Sequence, residues 1–357
     1  MRINPGLHVV ELSRAARQFG LGPDALVLRG LQDSDLAFLA ALRSGLPDGA
    51  EAAAARRCAV PPQRARSLTQ ALAPVLLPCP GPGAPDQSGP SIPGLRSERL
   101  AGDTDRISAA YRLDGSAFMR SRARAAVEVS GLGRIGSLLA RTLASAGVGT
   151  LVLSDPGVVL PADIGPGYPL TDLGMGRTQA VKRQIYRLDP TVHVLPNAAR
   201  TPGLQPAHLD LAVSIGGPPI AGRIPGRPAR EHPHLAVTVQ ETGVDIGPLV
   251  VPGLTPCLEC LELALAGGDL NWYAAAEALG RGGAEAVPAG EESAGAVLAA
   301  GAAAVQVLAF LDGVVQPTTW SAVLALRAAD GHLGLKKLRF HPECGCRLQL
   351  QDSPAAS

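Results

Sequence analysis

Residues 126–155 constrain the fold of this chain more tightly than any other stretch. An apolar run carrying Val127 and Val129 ends in Gly131-Leu-Gly133-Arg-Ile-Gly136, and the Ala/Leu-rich segment that follows puts Leu138, Leu139, Thr142 and Leu143 on one helical face. Gly147 and Gly149 stop that helix, and Leu151-Val152-Leu153 reads as a second buried strand. The pattern predicts a strand–turn–helix–strand unit. Its first glycine permits a tight turn, its second lets a phosphate approach the backbone, and its third lets helix and strand pack closely. Free N–H groups and the dipole at the helix start favour an anion. Asp155, 19 residues beyond Gly136, stands where a carboxylate accepts hydrogen bonds from ribose hydroxyls. Gly131, Gly133, Gly136 and Asp155 are therefore candidate nucleotide-binding residues.

At 357 residues the chain has room for about two domains. Hydrophobic residues make up 46% of it, which excludes wholesale disorder. With 32 basic against 31 acidic residues it lacks a chain-wide electrostatic footprint for nucleic acid. Residues 1–78 read as a small winged-helix-like α+β domain. Strand candidates lie at 8–12 and 25–28, Asp33-Ser34-Asp35 can cap a helix carrying Leu36, Phe38, Leu39 and Leu42, and further helices are expected at 49–57 and 63–72. A peptide can add to the edge of such a sheet without any basic run. Arg56, Arg57, Arg64 and Arg66 are read as a solvated helix face in preference to a DNA contact.

A Pro/Gly/Ser-rich linker is expected over 79–106, a larger α/β domain over 107–350 and a disordered tail over 351–357. Within the larger domain the expected elements are a helix at 177–188, strands ending at 195 and 215, two strands at 234–241 and 244–251, and a hairpin at 320–339. Residues 293–311 are nearly long enough to span a bilayer. They are mostly Ala and Gly, contain Gln306 and lack flanking Lys or Arg, so a helix buried in a soluble protein is expected. Met1-Arg-Ile-Asn-Pro-Gly has no apolar core of a secretory signal. The expected location is cytoplasmic, with no membrane partner.

Four of the six cysteines form two tight pairs, Cys257-Leu-Glu-Cys260 and Cys344-Gly-Cys346, 83 residues apart. Gly253, Pro256, Pro342 and Gly345 shape both into short knuckles that turn two thiolates towards one point. Four thiolates in a tetrahedron suit a closed structural Zn2+ site, without an open position for catalysis. Two disulfides or unrelated core thiols are the other options, but a Cys344–Cys346 bridge would close a strained ring and a cytosolic compartment disfavours both bridges. Cys58 and Cys79 stand alone.

The Gly-rich turn, the acid after the second strand, the Cys-x-x-Cys after a strand pair, the Ala-rich helix and the closing cysteine pair together resemble the ThiF/MoeB/HesA superfamily, whose fold is shared by the ubiquitin-activating enzymes. The resemblance covers about residues 105–350. It implies a Rossmann-like, mostly parallel sheet with flanking helices and a four-cysteine zinc knuckle, although the closing Cys-x-Cys departs from the Cys-x-x-Cys of many members. Residues 1–78 are similar to PqqD-like modules that bind leader peptides in ribosomal peptide modification. The combination resembles the ThiF-like partner proteins of azoline-forming (thiazole/oxazole) cyclodehydratases. It implies a precursor peptide or small protein as ligand, a partner modification enzyme, and a twofold homodimer.

Active members of the superfamily adenylate a peptide C-terminal carboxylate: it attacks the α-phosphorus of ATP, and pyrophosphate leaves. Arg, Lys and Mg2+ spread the charge. The resemblance implies an Asn and an Arg in the loop after the ribose acid, a Lys at the next helix start and a metal-binding Asp after the following strand. Here the loop reads Pro161-Ala-Asp163-Ile-Gly165-Pro-Gly-Tyr168, without either residue. Arg177 stands near the Lys position and can hold a phosphate. Val213-Ser214-Ile-Gly216-Gly217 offers no carboxylate, and Asp210 lies at the wrong end of that strand. Losing the metal ligand and the loop Arg removes several kcal/mol of transition-state stabilisation, which slows the chemistry by orders of magnitude. Residues 261–292, where thioester-forming members keep a reactive cysteine, contain none.

Two readings follow. The first is a binding module with a degenerate ATP site that presents a precursor peptide to a partner enzyme. The second is an ATP- and Mg2+-dependent adenylyltransferase acting on a peptide or small-protein C-terminus. An NAD-dependent dehydrogenase is disfavoured, because no His poised beside an Asp suggests a hydride-transfer site.

Overall fold

The computed structural model describes residues 1–79, 94–196, 208–217, 232–268, 271, 272, 274 and 290–346. The expected tail and most of the Pro/Gly-rich stretch, 80–93, lie outside the described residues. The chain divides into two compact units, Met1–Ser121 and Arg122–Ser357.

In the first unit, β1 (Arg2–Ile3) pairs with β5 (Leu76–Leu77), and β2 (Val9–Ser13), β3 (Ala16–Phe19) and β4 (Leu26–Arg29) form an antiparallel meander. Strand β3 escapes a sequence reading because its burial does not alternate: Ala16 and Phe19 are buried, with the polar Arg17 and Gln18 between them. Helices α1 (Asp33–Ser44), α2 (Glu51–Arg57) and α3 (Pro62–Leu72) follow. Phe38, Leu39 and Leu42 of α1 meet Leu68 and Leu72 of α3 around Ile3 and Phe19, an apolar stripe per helix closing one core. The N-cap is Gln32 rather than the Asp33-Ser34-Asp35 group. Asp35 instead turns back to accept from the Gln32 N–H at 2.9 Å and pairs with Arg64 at 2.9 Å. Arg64 thus ties α3 to α1 and is not part of a free basic face.

The expected linker is shorter than 79–106. Helices α4 (Gly94–Arg99) and α5 (Ala101–Tyr111) begin within it, followed by α6 (Gly115–Arg124). Residues 94–121 are part of the first unit: Asn4 Nδ2 donates to the Ser108 carbonyl at 2.7 Å, and a Cβ on Gly6 would collide with the Asp105 carbonyl. The run Gly94-Leu-Arg-Ser-Glu-Arg-Leu-Ala-Gly-Asp-Thr-Asp is polar, and its one deep anchor, Leu100, is 1% exposed. So sparse an apolar signal imitates a linker.

The second unit is built on an eight-stranded sheet ordered β13-β12-β11-β10-β9-β6-β7-β8. Strands β6 (Ala126–Ser130), β7 (Thr150–Ser154), β8 (His193–Pro196), β9 (Leu211–Gly216) and β10 (His234–Gln240) are parallel neighbours. Strands β11 (Gly243–Val250), β12 (Ala322–Arg327) and β13 (Leu333–Lys337) extend the sheet antiparallel. Helices α7 (Arg134–Ser145) and α8 (Arg177–Leu188) make the crossovers from β6 to β7 and from β7 to β8. After β8 the chain returns to the other side of β6 as β9. The strand order therefore reverses between β6 and β9, and the crevice at their carboxyl ends is where such sheets bind ligands.

Helix α9 (Leu258–Gly268) leaves the first cysteine knuckle, and α10 (Ser293–Asp312) packs on α7 and β11. Ala296, Ala299, Ala300, Ala303, Ala304 and Val307 form the buried stripe of α10. The expectation of a buried helix holds for that side only, because Val297 and Val305 are 50% and 61% exposed. Among the described residues α10 is the one helix long and apolar enough to cross a membrane.

Candidate functional site

The turn after β6 has the geometry that its glycines imply. Gly131 has φ +86°, the left-handed region that excludes most side chains. A Cβ there would also strike the Ile215 carbonyl at the end of β9, so the turn lies directly at the strand-order reversal. A Cβ on Gly136 would strike the Gly131 carbonyl, which is the close helix–turn packing expected of the third glycine. Tyr168 seals the turn from below. It is fully buried, its hydroxyl donates to the Leu132 carbonyl at 2.6 Å, and burial pushes its pKa up.

The anion site at the start of α7 already holds a carboxyl group. Glu291, which no motif in the sequence marked, places Oε2 2.6 Å from the Ile135 N–H. A Cβ on Gly133 would lie 2.5 Å from Glu291 Oε1. The second glycine therefore does let an acid approach the backbone, but the acid belongs to the chain. Arg134 holds the segment in place: Nη1 donates to the Glu291 carbonyl at 2.9 Å and to Ser293 Oγ at 3.1 Å, and Nη2 donates to the Ile164 carbonyl at 3.0 Å. Burial raises the Glu291 pKa above its ordinary value, against the pull of the Ile135 N–H and Arg177.

Asp155 ends β7 as expected. Its Oδ2 accepts from the Leu132 N–H at 2.6 Å and its Oδ1 from the Gly157 N–H at 2.7 Å. Arg177, at the first position of α8, also points into the site. Its Nη2 reaches both oxygens of Asp163 at 3.0 and 2.9 Å, and its Nη1 reaches Asp155 Oδ2 at 3.4 Å. Burial works against the Arg177 charge, but the two acids more than offset it and hold the pKa above the usual arginine value. Asp163, from the loop in which the sequence lacks the expected Asn and Arg, thus neutralises Arg177. Asp210 accepts from the Ala126 N–H at 2.8 Å, at the amino end of β6 and away from the crevice.

Beside Asp155 a cavity of about 360 Å³ opens between the ends of β7 and β8 and the first turns of α8. Thr178, Gln179, Lys182, Val194 and Leu195 line it. Its size falls within the range of small-molecule sites, and Val158, Val194, Leu195 and Pro196 give it an apolar side.

The four paired cysteines converge as the spacing predicted. All four sulfurs lie within 4.8 Å of one another. Cys257 Sγ is 3.9 Å from Cys260 and 3.5 Å from Cys344, and Cys260 is 3.6 Å from Cys346. A tetrahedron with Zn–S bonds of about 2.3 Å has edges of about 3.8 Å, so the set fits Zn2+. Disulfides do not fit, and all four are free thiols. The His341 N–H donates to Cys260 Sγ at 3.4 Å, the kind of contact that steadies a thiolate ligand. Burial pushes the Cys346 thiol up to about 11, a cost that a bound dication reverses by deprotonating its ligands. Cys58 and Cys79 are also free and half-buried.

Comparison with known proteins agrees with this geometry. The ThiF family model matches residues 107–209. This stretch is similar to ThiF-family sequence. E. coli MccB, solved with AMPCPP and the peptide MccA, superposes with a TM-score of 0.65 at 16% identity, covering 97% of this chain and 98% of that one. MccB in complex with N-formylated MccA gives 0.65 at 15% identity over 97% and 99%. PaaA gives 0.63 at 17% identity over 94% of this chain and 99% of its own. By sequence, no curated protein matches the chain.

Proposed function

We propose that this chain is a peptide-binding ThiF-type module whose ATP site is degenerate, and that it presents a precursor peptide to a partner modification enzyme. One observation carries the reading: the phosphate position at Gly133 is taken by Glu291, while Arg177, the cation expected to hold a phosphate, is taken by Asp163 and Asp155. Adenylation needs a free cradle and uncommitted positive charge at the leaving pyrophosphate. Among the described residues the one convergent set of three or more metal-binding side chains is the cysteine set. Zn2+ held by Cys257, Cys260, Cys344 and Cys346 is structural. The superposed MccB complexes contain a peptide, which supports a peptide as the ligand class here. The three-stranded meander offers two open edges, β2 and β4, for strand addition. A cytoplasmic homodimer accords with this reading.

The test is a fluorescence titration of the full chain with labelled precursor peptides encoded near its gene, with and without ATP. Binding that is insensitive to ATP, with no ATP–pyrophosphate exchange, is expected. Val10→Pro on β2 or Val27→Pro on β4, with folding checked by circular dichroism, should weaken it. If neither does, sheet-edge binding is wrong. The cavity beside Asp155 and the retained Arg177 favour the second reading, an active adenylyltransferase, and exchange by the wild-type chain would establish it.

A further inference from the structure

We infer that Glu291 is an internal stand-in for phosphate, an autoinhibitory contact that shuts the Gly131–Gly136 turn against polyphosphates while leaving the cavity beside Asp155 open. The inference rests on the degenerate-site reading and names the device responsible.

A nucleotide phosphate at this turn would accept from the first N–H groups of α7 and lie against the bare Cα of the second glycine. Glu291 meets both conditions, with Oε2 2.6 Å from the Ile135 N–H and Oε1 against Gly133. A phosphate oxygen and this carboxyl group cannot share that volume. The contact is also held from outside the carboxyl group. Arg134 grips the Glu291 carbonyl, Ser293 and the Ile164 carbonyl at once. Glu292 caps α10 by accepting from the Ala294 N–H at 2.8 Å and from the Gly295 N–H. Residue 291 is therefore fixed between a guanidinium clamp and a capped helix, and clearing the turn requires that Arg134 let go. The charges facing Glu291 are Arg134 of α7, Arg177 of α8 and Asp163 of the loop before it; none of these occupies the Ile135 N–H. The cavity lined by Thr178, Gln179 and Lys182 includes no part of this contact.

The experiment is isothermal calorimetry of the full, zinc-loaded chain with ADP and, separately, with adenosine. Wild type should bind ADP no more tightly than adenosine. Glu291→Ala should bind ADP about tenfold more tightly than wild type or better, the gain of one charge-assisted contact, with adenosine affinity unchanged. Arg134→Ala should shift ADP affinity the same way by a smaller factor. Glu291→Ser also vacates that volume and keeps a polar side chain, so it replaces the Ala variant if that chain does not fold. ADP affinity equal in wild type and variants would overturn the proposal, as would equal gains for ADP and adenosine. The functional reading is judged on separate measurements: ATP–pyrophosphate exchange or lack of peptide binding in wild type would remove it, whichever way the calorimetry falls.

Discussion

Asp35 and Glu291 are both acids drawn into the protein, and their surroundings move them in opposite directions. At Asp35 burial pushes the pKa up, but Arg64 and the Gln32 N–H outweigh it and hold the carboxyl below its ordinary 3.8. A depressed acid contributes stability that is present above the unfolded value and lost as pH falls through the folded one. Asp35→Ala should therefore cost about 1–3 kcal/mol at pH 7, read from urea denaturation, and markedly less in acid below the depressed pKa. At Glu291 burial is the largest effect; the Ile135 N–H, Arg177 and the Arg134 N–H pull against it, Asp163 pushes with it, and the net shift is upward from 4.5. A raised acid contributes stability that is full below the unfolded value and lost as pH rises through the folded one. Melting temperature against pH should show that loss in wild type. Glu291→Gln should flatten it and melt higher than wild type at pH 7; parallel curves would contradict the assignment.

At the scale of elements, the turn between β6 and α7 tolerates almost no added volume, whereas α10 tolerates it well. Gly136→Ala places a methyl group against the Gly131 carbonyl, a backbone atom that cannot yield locally. A loss of about 2–4 kcal/mol is expected, at the severe end for a single substitution. Gly301 sits inside α10 with nothing within 4 Å of a built Cβ. Gly301→Ala should stabilise the chain by about 0.5–1 kcal/mol through helix propensity alone. Chemical denaturation of the pair distinguishes a glycine required by contact from one that is merely present. The elements that sequence missed have a common cause. β3 and α4–α5 bury few apolar side chains, so periodicity carries little signal there, whereas β6, β7 and α7 each bury a full apolar face.

For the whole molecule, the cysteine centre ties the start of α9 to the chain after β13. Closing so long a loop with four bonds to one ion removes much unfolded-state freedom. Metal analysis should find one zinc per chain. Chelation or Cys260→Ser should lower the melting temperature, with circular dichroism still showing the parallel core. An unchanged melting temperature after complete metal loss would remove the structural role. This centre was legible in the sequence, because Cys257, Cys260, Cys344 and Cys346 occur as two tight pairs whose types are specific to the chemistry. Glu291 was not, because one acid before an Ala-rich helix has no distinguishing pattern, and its meaning depends on which backbone N–H it reaches.

Local chemistry was written in the chain itself. Glycines at 131, 133 and 136, an acid at 155 and two cysteine pairs are short-range patterns, and short-range patterns determine turns, strands and knuckles whatever surrounds them. What occupies the finished crevice was settled only when residues 155, 163, 177 and 291 came together. Their carboxyl and guanidinium groups meet through a sheet that reverses its strand order between β6 and β9, and no spacing along the chain encodes a distance across that reversal.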